Sequence, residues 1–99
     1  MELTIRQTDE FADWLDELPE PDAARITSRI VRVQVTGNLG DTKSVGNKVS
    51  ELRFHFGPGY RVYYTKVGRE ILLLLAGGDK GTQDRDIQRA KQIAERELE

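Results

Sequence analysis

The chain has 99 residues, 37% of them apolar, and no cysteine. That length and apolar share allow one domain with a modest core, and the missing thiols exclude a disulfide framework and a thiolate metal site. A single histidine cannot build a zinc centre without carboxylate help, no apolar run reaches membrane-spanning length, and the start MELTIRQTDEF lacks a signal-peptide pattern, so the expected location is the cytosol.

The formal net charge of −2 hides a segregation. Residues 1–42 balance to −5, residues 43–80 to +4 and residues 81–99 to −1. An isoelectric point of about 5.5 argues against broad non-specific attachment to nucleic acid. It leaves room for one local phosphate site in the central third.

In chain order, Leu3 to Gln7 alternates apolar and polar, as a short strand does. Thr8 or Asp9 then offers an N-cap, and Phe11, Trp14, Leu15 and Leu18 form one helical stripe. Pro19 and Pro21 end that helix and start the next, which runs from about Pro21 to Thr36 with Ala23, Ile26, Ile30 and Val33 buried. Arg25, Arg29 and Arg32 fall mainly outside that stripe and read as a polar face. Gly37 stops it. Residues 37–48, GNLGDTKSVGNK, read as a long loop. Three strands follow: Val49–Phe56, Tyr60–Lys66 and Glu70–Gly77, the last continuously apolar from Ile71 and so covered on both faces. Gly77 and Gly78 end it. A final helix follows, capped by Asp79 or Thr82, with Ile87, Ala90, Ala94 and Leu98 inward. The order βααβββα is an α+β fold with helices packed on a small, mainly antiparallel sheet, in one domain spanning 1–99.

The chemistry concentrates in ELRFHFGPGYRVYYTKVGREILLLLAGGDKG, residues 51–81. A tight turn at Gly57-Pro58-Gly59 sets His55 opposite Arg61 and Arg53 opposite Tyr63. Strand periodicity then puts Arg53, His55, Arg61 and Tyr63 on one face and Leu52, Phe54, Val62 and Tyr64 on the other. Neighbouring arginines repel unless something anionic lies over them, or unless Glu51, Glu70 or Asp79 pairs with them in a solvated network. His55 reads either as a general base near neutral pH or as a semi-exposed sheet residue. Tyr63 reads as packing, or as a ring for base stacking.

The element order and four motifs (GDTKSVGNKVSELR, GPGYRVYY, ILLLLAGGDK and KGTQDRDIQRAKQIA) resemble the RelE/ParE superfamily of toxins from type II toxin–antitoxin systems, nearest to its HigB-like branch. The resemblance implies a cognate antitoxin, expected to be a helix-turn-helix protein from the adjacent gene. It also implies one of two activities: ribosome-dependent cleavage of messenger RNA without metal, in the manner of RelE, or non-enzymatic inhibition of DNA gyrase, in the manner of ParE. No cofactor is expected. For RNA cleavage the motifs assign Arg61, Lys80 and Arg53 to catalysis, and His55, which the family pattern does not require, is the candidate base on its own chemistry. Arg53, Arg61, Tyr63, Lys43, Lys48 and Lys80 would touch RNA. The tail QIAERELE lacks the tyrosine or histidine that RNA-cleaving members carry near the C-terminus, so proton transfer falls to Lys80, His55 or Tyr63. A phage-derived regulatory module without toxicity is a third possibility.

Overall fold

The computed structural model describes residues 3–98. Its elements are β1 (Thr4–Gln7), α1 (Asp9–Asp16), α2 (Glu20–Thr36), β2 (Thr42–Gly46), β3 (Val49–Arg53), β4 (Tyr60–Val67), β5 (Ile71–Asp79), a one-turn 3-10 helix (Lys80–Thr82) and α3 (Gln83–Leu98). The sheet runs β1-β5-β4-β3-β2. β1 lies parallel to β5, and the remaining neighbours are antiparallel. The mainly antiparallel α+β fold is the expected one, with one strand more than the pattern showed. Among the described residues no helix is long and apolar enough to cross a membrane.

Helices cover both faces of the sheet. On one face Phe11 of α1 and Ile26 and Val33 of α2 pack on Leu52, Val62, Tyr64, Leu72 and Leu74. On the other, Ala90, Ile93 and Ala94 of α3 pack on Val49, Tyr63, Leu73, Leu75 and Ala76. Burial on both sides explains why β5 is a continuous apolar run. Thr8 links cap and sheet: its Oγ1 accepts from the Phe11 N–H at 3.1 Å and donates to the Leu75 carbonyl at 2.7 Å. One hydroxyl thus satisfies an orphan helix donor and fixes α1 to β5.

Four readings need correction. The stretch taken as loop contains β2, an exposed edge strand whose outward polar side chains and flanking glycines disguise it. Gly77 and Gly78 lie inside β5, because Trp14 and Asp86 press so closely on them that a Cβ would clash. Leu98 is exposed, and the buried stripe of α3 is Asp86, Ala90, Ile93 and Ala94. The hairpin register is shifted by two: Arg53 faces Arg61, and Glu51 faces Tyr63. β3 ends at Arg53, and the expected tight turn is kept, the Gly59 N–H donating to the Phe56 carbonyl at 3.1 Å, but Phe54 and His55 widen the connection. Phe56 packs edge-on against Phe54 and Tyr60, so the three rings cluster at this connection. A shift of two residues leaves every side chain on its expected face. It does carry His55 out of the strand.

Candidate functional site

Arg53 and Arg61 sit side by side on the α3 face of the sheet. Glu51, two residues before Arg53, points the same way and is 1% exposed. Its Oε2 lies 3.1 Å from Arg61 Nε and 3.9 Å from Arg53 Nε. Gln83, at the head of α3, donates to both Glu51 oxygens at 2.9 and 3.1 Å. Arg61 is 4% exposed, and its Nη1 donates to the carbonyls of Gly59 and Tyr60 at 3.1 and 3.0 Å. The two guanidiniums are therefore not a bare cationic patch. A buried carboxylate stands between them and fixes the more enclosed one.

Above this pair the Gly57-Pro58-Gly59 turn and the head of α3 meet. The Lys80 N–H donates to the Gly59 carbonyl at 2.9 Å. Asp79 caps the 3-10 turn by accepting from the Gly81 N–H at 2.8 Å, which leaves the exposed Lys80 side chain beside Gly59 and Arg61. A cavity of about 290 Å³ results, walled by His55, Gly57, Pro58, Gly59, Arg61 and Lys80. The side chain of His55 is 67% exposed, and its Nε2 lies 2.5 Å from Asp41 Oδ2. That hydrogen bond holds the Asp41 carboxyl below the usual carboxylate range. Among the described residues no set of three histidines or carboxylates gathers as a metal cage. The cavity offers cations, one imidazole and backbone, a donor set suited to an oxyanion.

Residues 13–99 match the model of the family described as phage-derived protein Gp49-like. The chain belongs to this Gp49-like family. An uncharacterised protein of Haemophilus influenzae Rd is 46% identical to it over 96 residues, 96% of either chain. In structure the Gp49-like chain is similar to a doubly substituted mutant of the Escherichia coli toxin RelE in its free state. The TM-score is 0.73 at 14% identity, over 94% of this chain and 99% of that one. It is also similar to a chain of the intact E. coli RelBE toxin–antitoxin complex, with a TM-score of 0.65 at 13% identity, over 78% of this chain and 95% of that one. These likenesses establish the RelE fold.

The remaining candidate residues of the Gp49-like chain divide plainly. His55, Arg61 and Lys80 meet at one cavity, and Arg53 lines an adjoining cleft that His55 shares. Tyr63 is 0% exposed under α3, its hydroxyl has no partner among the described residues, and burial pushes the phenol above its usual range. It is a core residue, which corrects both its stacking and its proton-transfer readings. Lys48 is exposed in the β2–β3 turn, at the far end of β3 from the cluster, and so lies outside the site assigned to it. Lys43 is exposed on β2, opposite Glu51 in the ladder. The sequence named Glu51 as one possible partner of the arginines, alongside Glu70 and Asp79. Gln83 and Asp41 escaped it, because neither carries a local signal of the contact it makes. Arg29 also does more than solvate α2. It donates to the carbonyls of Arg53, Leu39 and Asp41, and so fixes the segment that presents Asp41 to His55.

Proposed function

We propose that this Gp49-like protein is the toxin of a type II toxin–antitoxin pair, HigB-like in branch, and that it cuts messenger RNA on the ribosome without metal. The observation carrying this reading is the convergence of His55, Arg61 and Lys80 on one cavity. In-line cleavage needs a base for the 2′-hydroxyl, cations for the phosphorane and an acid for the leaving oxygen. Asp41 engages one ring nitrogen of His55 and so favours the tautomer whose other nitrogen is basic. That nitrogen takes the 2′-hydroxyl proton as the oxygen attacks phosphorus. Arg61, held by Glu51, and Lys80 meet the developing charge. The 5′-oxygen departs with a proton from Lys80, giving a 2′,3′-cyclic phosphate and a 5′-hydroxyl. The partner is an antitoxin, as RelE has in the RelBE complex, expected from the adjacent gene with a helix-turn-helix domain.

Mapping of transcript ends after induction tests the reading. Expected are new 5′-hydroxyl ends inside coding frames, their formation slowed about 10²-fold or more by His55→Ala or by Lys80→Ala. A second reading, a non-enzymatic toxin that inhibits DNA gyrase, is favoured by one observation: Glu51 already neutralises the buried Arg61. Intact transcripts together with a DNA-damage response would establish that reading and remove the first.

A further inference from the structure

A second cleft of about 350 Å³ adjoins the first, between α2 and the end of β3. Its walls carry Arg25, Arg29 and Arg32 from α2, with Arg53 and His55 opposite. The arginines fall at i, i+4 and i+7, so one helix face delivers all three. Arg29 is engaged by backbone carbonyls. Arg25 and Arg32 are exposed, and among the described residues neither takes a carboxylate partner. The one carboxylate on these walls, Asp41, is bound to His55. The Arg25 guanidinium lies 3.8 Å from the centre of the Phe56 ring. An arginine plane backed by an aromatic ring is a surface on which a nucleobase stacks. His55 lines both this cleft and the cavity with Lys80, so the two lie side by side.

We propose that this cleft binds a neighbouring nucleotide of the same single-stranded RNA, its base on Arg25 and its phosphate against Arg32. The proposal rests on RNA being the substrate, and it adds a binding subsite to the cleavage cavity. A flat base uses the Arg25–Phe56 platform, whereas the carboxylates of an acidic protein segment would need only the charge.

The test uses the full chain and a fluorescent 2′-O-methyl oligoribonucleotide, which cannot supply the attacking hydroxyl. Binding is titrated over a range of salt, and circular dichroism confirms that each variant is folded. Arg32→Gln is expected to weaken binding and to flatten the dependence of log K on log salt by about 0.7, one phosphate contact on a single strand. Arg25→Lys keeps the charge and loses the plane, so affinity falls about tenfold with the slope nearly unchanged. Affinity and slope unchanged in both variants would overturn the cleft, whether or not a protein partner is lost, and would leave the cleavage reading intact. Normal binding by the unmodified chain with these losses in the variants, but no cleavage of ordinary RNA on ribosomes, would leave the cleft standing and remove the nuclease. No binding by the unmodified chain overturns the cleft outright.

Discussion

Two guanidiniums facing each other across a β ladder repel, and burying one of them deepens the cost because water no longer screens it. Glu51 resolves the conflict by lying against both, with Gln83 satisfying its oxygens. Removing it leaves Arg61 buried with no counter-charge. Glu51→Ala is therefore expected to cost about 3–5 kcal/mol in urea unfolding. A Glu51→Leu, Arg61→Met double variant should recover much of that loss, since an apolar pair of similar volume replaces two desolvated ions. A loss under about 1 kcal/mol for Glu51→Ala would mean the pair is open to water and screened. A second residue-scale prediction concerns Tyr60, whose hydroxyl donates to Asp22 Oδ2 at 2.6 Å. This bond, then burial, pushes the Tyr60 phenol up to about 12 from 10.0. A folded-state pKa raised above the unfolded one gives stability that is full below pH 10 and lost as pH rises toward 12. Alkaline melts should show wild type losing its advantage over Tyr60→Phe across that window, and a constant difference would refute the bond.

At the scale of elements, β5 carries the molecule, because all three layers meet on it. Its two glycines permit that. A Cβ on Gly77 would fall 2.1 Å from Trp14 of α1, and one on Gly78 would fall 1.9 Å from Asp86 of α3. The helices on opposite faces thus approach the backbone itself at successive residues. Gly78→Ala would push Asp86 away from the sheet and break its hydrogen bond with Thr82, loosening the turn that presents Lys80. Each substitution is expected to cost about 1–3 kcal/mol or more by overpacking, measured by thermal unfolding. On the proposed ribonuclease reading, Gly78→Ala should also lower RNA cleavage, whereas Gly77→Ala, on the α1 face, should not. The same glycines show where sequence reasoning stops. Two glycines after an apolar run read as a strand end, and only the opposing helices reveal that they admit side chains from above and below. The apolar periodicities of α1, α2, β4 and β5 were legible because each buries one continuous stripe or run. β2 was not, because an edge strand with the polar Thr42, Lys43 and Ser44 carries no apolar alternation and is exposed. The site was legible as residue types: Arg53, Arg61, Lys80 and His55 all lie at one end of the sheet. Its wiring was not, because the rings of Phe54, Phe56 and Tyr60 cluster at the β3–β4 connection and no local rule scores that packing.

Over the described residues the sheet separates α1 and α2 from α3, and a side-chain link closes the layers. Arg96, near the end of α3, donates from Nη1 and Nη2 to the two Glu10 oxygens of α1 at 2.6 and 3.0 Å. The paired geometry suits a guanidinium and a carboxylate, and it joins helices from opposite faces. That hydrogen bonding lowers the Glu10 carboxyl from 4.5 to about 2. A depressed folded-state pKa gives stability that is present above pH 4.5 and lost as pH falls toward 2, because the unfolded chain takes up the proton first. Wild type should therefore melt above Glu10→Gln at neutral pH, and the gap should close through that acid window. Since the pair is partly open to solvent, the gap should also shrink with added salt. A gap that ignores both acid and salt would show that Glu10 acts through packing of its methylenes, leaving α1 and α3 held to the sheet by their separate apolar faces alone.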